Sequence, residues 1–214
     1  MFTLCPDQVG MHFARAAIPD SITCETLAAQ AALLSDCAAT LLPDGSLDVI
    51  AYACTSGSLV IGEQRVKHEL NIGAPGAIAT TLITGVIRAL EHLCARRIVV
   101  ATPYLDEINS REKTYLEQRG FEVLDIQGLN IEKDSEMVCI TPEFIRDYAL
   151  DLNRSDADAL FVSCGALRTL DIVDELEQKA GKPVVCSNQA MAWDTFRLAG
   201  IDDRIAGYGS LFDS

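Results

Sequence analysis

The chain has 214 residues, 49% of them hydrophobic, and 17 Lys and Arg set against 31 Asp and Glu leave a formal charge of -14. That apolar content is ample for a buried core in one domain or two small ones, and the acidic balance argues against nucleic acid or an anionic membrane surface as partner while leaving an acidic small molecule open. No apolar stretch approaches the roughly 20 residues that span a bilayer, and the start has neither a basic n-region nor an apolar h-region, so cytoplasmic residence is the expectation.

Residues 25–42 are rich in Ala and Leu, follow Thr23 as a capping residue and stop at Pro43-Asp44-Gly45, which predicts a helix. The run 47–54 predicts a strand ending at Cys54, and after a loop 62–70 predicts a helix. Apolar residues recur at helical spacing over 78–93, predicting a further helix with Thr80 and Thr81 as caps or binding residues near its start. Residues 97–102 predict a strand closed by Pro103-Tyr104, followed by a helix over 108–119 and a strand over 121–126. Beyond these, helices are predicted over 142–152, 170–180 and 189–198, with strands over 159–163 and 183–187. Alternation at this spacing means an α/β fold with parallel sheets flanked by helices.

Two stretches match: Leu-Asp-Val-Ile-Ala-Tyr-Ala-Cys at 47–54 and Ala-Asp-Ala-Leu-Phe-Val-Ser-Cys at 157–164. Lys-Pro-Val-Val-Cys-Ser from Lys182 likewise echoes Arg-Ile-Val-Val-Ala-Thr from Arg97. The expected architecture is therefore two pseudo-symmetric halves, each a parallel sheet flanked by helices, with an active cleft between them. The first half takes residues 1–90 and 190–214 and the second 95–188, packed as one unit because no linker separates them. Chemistry in α/β proteins sits at the C-terminal ends of parallel strands, so Cys54 and Cys164 are expected to meet across the cleft. Two opposed thiols can exchange protons with, or add to, two faces of a substrate without a cofactor, provided one is held as thiolate.

Around these cysteines, Thr55, Ser56, Gly57 and Ser58 crowd hydroxyls and amides into a donor-rich turn suited to a carboxylate or oxyanion. Taken alone it reads as an ordinary strand-to-helix turn; Gly165 and Ala166 at the equivalent place in the other half turn the balance toward a site. Tyr104 stands on the same sheet edge, where a phenol can hold a carboxylate or simply pack. Asn188 offers amide donors there or an N-cap, and Asn130 lies in a loop where turn chemistry and ligand contact both fit. Arg168 reads as an anion contact or a solvated helix-face residue. The other cysteines, Cys5, Cys24, Cys37, Cys94, Cys139 and Cys186, read as small buried hydrophobes. Without a Cys-x-x-Cys and with His12, His68 and His92 far apart, no metal site is expected. Cys54 and Cys164 alone are expected to react, their pKa values lowered by turn amides and helix N-termini. Phosphate-loop, dinucleotide and serine-elbow motifs are missing, so no cofactor is expected.

Ala-Cys-Thr-Ser-Gly-Ser (53–58), Thr-Pro-Tyr (102–104) and Ser-Cys-Gly-Ala-Leu-Arg-Thr (163–169) together resemble the aspartate/glutamate racemase superfamily, and more narrowly its maleate cis-trans isomerase and arylmalonate decarboxylase branch. The resemblance runs over nearly the whole chain. It implies Cys54 and Cys164 as the catalytic pair, Tyr104 as the holder of a substrate carboxylate, and Thr55 and Ser56 as the donors beside it. Decarboxylases of the branch typically keep only the second-half cysteine, so two cysteines imply isomerase or racemase chemistry on a small carboxylate, in a homodimer or higher homo-oligomer. Maleate isomerases open with a strand and a Pro-Ser-x-Asn-Thr type loop whose Asn contacts substrate; this sequence begins after that point, and residues 9–18 look like their second strand. Three functions stand: isomerisation of a small dicarboxylate, maleate to fumarate foremost; racemisation or decarboxylation of an amino acid or other α-substituted acid by the same thiols; and carboxylate binding without turnover.

Overall fold

In the computed structural model, which describes residues 2–42 and 44–213, the short β-branched runs pair into two parallel sheets. β1 (Val49–Tyr52) and β2 (Ile78–Thr81) form one, with Val49 opposite Ile78 and Tyr52 opposite Thr81. β3 (Arg97–Thr102), β4 (Glu122–Gly128), β5 (Ala159–Val162) and β6 (Val184–Cys186) form the other, in the order β4-β3-β5-β6. The helices are α1 (Cys24–Ala29), α2 (Leu34–Ala39), α3 (Thr55–Ile61), α4 (Glu63–Gly73), α5 (Leu82–His92), α6 (Asp106–Gln118), α7 (Asp134–Met137), α8 (Pro142–Asp151), α9 (Val173–Ala180) and α10 (Ser187–Leu198). None among the described residues is long and apolar enough to cross a membrane.

The central strands are apolar throughout because both their faces are covered. Ile98, Val100, Ala159 and Phe161 point into one core cluster, whereas Val99, Ala101, Leu160 and Val162 point into another. Where β6 ends, α10 returns the chain against α5, and Gly85 permits that approach: a Cβ there would lie 3.0 Å from the Ala190 carbonyl oxygen. Buried Asp194 of α10 accepts hydrogen bonds from Thr80 Oγ1 and Arg88 Nη1, each at 2.7 Å, and so ties β2, α5 and α10 together. Thr81 caps α5 by accepting from the Thr84 N–H at 3.2 Å.

Three local expectations are corrected. Residues 25–42 are not one helix: a 3-10 turn at Gln30–Leu33 separates α1 from α2, and across it Leu27 is buried in one core cluster while Leu34 and Ala38 are buried in another. The expected terminator Pro43 lies outside the described residues. Residues 78–93 are not all helix either, since the β-branched opening Ile78–Thr81 pairs with β1 and the helical spacing begins only at Leu82. Residues 9–18 form no strand. A strand exists by virtue of its ladder partner, and this segment instead lines, together with Val49 to Ala53, a cleft of about 890 Å³.

Helix α4 ends at Gly73, where a Cβ would overlap the carbonyl oxygen of Ser35 in α2, a backbone atom with little room to give. Gly73→Ala is expected to lower stability by about 1–3 kcal/mol through overpacking. Gly76→Ala, with nothing near its added Cβ, should stay within about 0.5 kcal/mol. Urea-unfolding midpoints of the two variants measure the contrast.

Candidate active site

β1 ends at Tyr52, and two residues later Cys54 becomes the N-cap of α3. Its thiol accepts a hydrogen bond from the Gly57 N–H at 3.2 Å and lies 3.6 Å from the Ser56 hydroxyl. On the other sheet β5 runs out into Ser163 and Cys164, and Cys164 adopts a φ of 116°. A side-chain-bearing residue in that region is strained, a condition that clusters at functional positions. The Ala166 N–H donates to the Cys164 thiol at 3.3 Å.

The two cysteine turns are joined by a chain of hydroxyls. Thr55 Oγ1 lies 3.0 Å from Ser187 Oγ, which accepts from the Cys164 N–H at 2.9 Å. Asn188 holds the next residue, its side-chain amide donating to the Gly165 carbonyl at 2.8 Å. Cys54, Thr55, Ser56, Tyr104, Cys164, Gly165 and Ala166 thus come together on the lining of one large cleft, the same that residues 9–16 line. Asn188 stands behind that lining and positions it. Asn130 does not join it: it is exposed, with φ 56°, a conformation that asparagine tolerates in turns. Arg168 also lies outside, donating to the Ile140 carbonyl.

Burial pushes the Cys54 thiol up, against the opposing pull of the Ser56 hydroxyl, the Gly57 N–H and the Tyr52 phenol. Cys164 is pushed up to about 12 by burial, against Tyr104 and the Ala166 N–H. This corrects the expectation of lowered values: the donors are present, but desolvation of the thiolate outweighs them. Charge on Cys54 raises Cys164 further, so the pair favours holding one negative charge at a time. Tyr104 is buried and kept protonated by burial and by the nearby thiols. Its loop is fixed by Asn109, which accepts from Thr102 Oγ1 at 2.6 Å and donates to the Tyr104 carbonyl at 3.4 Å.

Sequence reasoning missed Tyr52. Its buried hydroxyl has no hydrogen-bond partner among the described residues apart from the Cys54 thiol, which it favours as an anion. A Cβ at Gly57 would overlap that phenol, so the glycine two residues beyond Thr55 makes its room. Each cysteine consequently has a tyrosine, and the Tyr-x-Cys spelling at the end of β1 was the available signal. His12 and Arg15 are the basic residues on the cleft lining, which also carries Asp48 and Asp134, and Arg15 ion-pairs with Asp134 at 3.9 Å. Among the described residues no group of His, Cys, Asp and Glu is placed to hold a metal ion. The buried-hydrophobe reading of the other cysteines is corrected at Cys94 and Cys139, which are exposed; Cys5, Cys24 and Cys37 are half-buried and Cys186 is buried. Cys94 sits just past the end of α5 with φ 55°, a helix-end position that faces water whatever residue fills it.

The family model for arylmalonate decarboxylase matches residues 17–212. Over 143 residues the chain is 35% identical to the arylmalonate decarboxylase of Bordetella bronchiseptica, an alignment that covers 65% of this chain and 60% of that enzyme, less than two thirds of its length. Over 199 residues it is 29% identical to the maleate isomerase of Nocardia farcinica, covering 89% and 79%. It superposes with a TM-score of 0.89 and 26% identity, over 99% of this chain and 89% of the other, on a mutant of the Nocardia farcinica maleate cis-trans isomerase with a covalently bound succinylcysteine intermediate. By that match over nearly its whole length, the chain belongs to the arylmalonate decarboxylase family, in the branch shared with the maleate isomerases.

Proposed function

We propose that this protein is a cofactor-independent cis-trans isomerase of a small dicarboxylate, converting maleate to fumarate. The observation that carries the reading is the pair Cys54 and Cys164 on one cleft, each thiol backed by a tyrosine and a backbone N–H. A structural neighbour that holds a covalent succinylcysteine intermediate supports covalent chemistry by a cysteine. The similarity to a decarboxylase favours a second reading, loss of carbon dioxide from a malonate. Two cysteines rather than one weigh against it, since the resemblance associates the pair with isomerases and racemases.

The roles follow from the two environments. Cys54, with three donors around its sulfur, is the better thiolate and adds to one alkene carbon; a sulfur–carbon bond forms as the π bond breaks. The electron pair passes into the adjacent carboxylate as an enediolate. Cys164, whose burial holds its proton through neutral pH, donates that proton to the neighbouring carbon. Rotation about the new single bond follows. Cys164 takes the proton back, the sulfur–carbon bond breaks and the trans alkene forms. Donors around Thr55, Ser56, Tyr104, Gly165 and Ala166 stabilise the carboxylates and the enediolate, as dense preorganised dipoles do.

Purified protein incubated with maleate should yield fumarate by proton NMR, and no conversion by fully folded protein rejects the substrate. Cys54→Ser and Cys164→Ser should each lower kcat by about a thousandfold or more with unchanged melting curves, whereas Cys94→Ser should do neither. In Cys164→Ser, intact mass should show a substrate adduct on Cys54; an adduct-free protein that still turns over overturns the covalent route. Because burial raises both thiols, kcat/KM should climb with pH as the Cys54 thiolate fraction grows. For the same reason limiting iodoacetamide at neutral pH should label the exposed Cys94 and Cys139 before Cys54 and Cys164, as peptide mass mapping would read out.

A further inference from the structure

Glu112 lies on α6 with its side chain wholly buried. One carboxyl oxygen accepts from the Ser163 hydroxyl at 2.7 Å, and Ser163 is the residue immediately before Cys164. The other oxygen has no hydrogen-bond partner among the described residues, and no Lys, Arg or His pairs with this carboxyl there. Asn109, one turn earlier on the same helix, donates to the Tyr104 carbonyl at 3.4 Å, and the Tyr104 phenol, which pairs with the Cys164 thiol, feels the Glu112 charge. A carboxyl so placed is costly to the fold, and a glutamine or an apolar side chain would fill the space at lower cost. Burial lifts it to about 7, with the Ser163 hydroxyl pulling the other way.

We propose that Glu112 is a positioning residue whose protonation state governs the Tyr104–Cys164 donor pair from behind the cleft, an inference that rests on the isomerase reading of that cleft. With Glu112 neutral, Tyr104 can donate its single O–H fully to a thiolate at Cys164 or to a substrate carboxylate. With Glu112 ionised, a second negative charge faces the same phenol, so charge on Cys164 and on the substrate is disfavoured. The other titratable groups acting on Cys164 are Cys54 and Asp134, both on the cleft lining. Those on Tyr104 are Cys164, Glu112 and Cys54.

The test compares wild type with Glu112→Gln, which keeps the shape and the Ser163 contact. The ratio of variant to wild-type kcat on maleate should be near one at roughly pH 6 and rise several-fold as the pH passes through about 7, because only the wild type gains the charge. Alkylation of Cys164, followed peptide by peptide against pH, should reach half-labelling at lower pH in the variant. Coincident profiles in both measurements overturn the proposal. A wild type inactive on maleate whose Cys164 labelling still shifts in Glu112→Gln would retire the isomerase reading and leave this one standing. Should the variant not fold, the wild type alone decides: an infrared C=O band of a protonated carboxyl that fades through about pH 7 supports the proposal. Absence of that band at roughly pH 6 sinks it.

Discussion

The chain of hydroxyls from Thr55 through Ser187 to the Cys164 N–H is the contact on which the geometry of this site depends. Its members come from the ends of three strands: Thr55 opens α3 beyond β1, Ser187 opens α10 after β6, and Cys164 follows β5. It therefore bridges the two sheets where their C-terminal edges converge. One end is bonded to the residue after Cys54 and the other to the backbone of Cys164, so the separation of the thiols is set by two hydrogen bonds rather than by long side chains. Buried contacts of this kind contribute only about 1 kcal/mol each when made, but leaving one partner stranded costs about 1–3 kcal/mol. That asymmetry locks the register of one half against the other.

Burial of the thiols is the second constraint. The chain carries a charge of -14, yet the groups around the thiols are phenols, hydroxyls and backbone amides. Neutral donors in a low-dielectric pocket stabilise an anion without a counterion that must itself be desolvated. The same desolvation lifts both thiols, so at rest the site stores protons, and charge appears only when a substrate carbon can take it up. Asp134 on the lining reinforces that bias, since it raises both cysteines further.

How much of this was legible in the sequence follows from which forces act locally. The runs at β3 and β5 were readable because strands covered on both faces are spelled as unbroken apolar segments. The two cysteines were readable because they end matched runs at a strand's C-terminal edge. β2 was not, since its four residues abut α5 without a turn and the apolar spacing flows across the join. The break within residues 25–42 was also hidden, for Ala and Leu favour helix throughout and only packing selects a tighter turn. Cysteine burial failed at Cys94 and Cys139 because residue type states an average, while exposure is decided by where on a helix end or loop the residue falls. Asn130 illustrates the converse: its type suited both a turn and a ligand, and the backbone chose the turn.

What the sequence could not carry at all has a common character. Cys164 at φ 116°, the Tyr52 phenol whose partner among the described residues is the Cys54 thiol, and the Glu112 oxygen with no hydrogen-bond partner among them are each a departure from what stability alone would select. All three surround the same pair of thiols. Local rules describe what makes a fold cheap, so they are blind where the fold accepts strain or an unmet hydrogen bond. Such features persist because the surrounding structure over-determines them: Ser187 fixes the Cys164 amide, Gly57 makes room for Tyr52, and Asn109, on the same helix as Glu112, holds the Tyr104 carbonyl. The rigid hydrogen-bonded frame and the uncomfortable groups it confines are therefore one arrangement, in which the frame holds two protonated thiols on one cleft in position for a substrate.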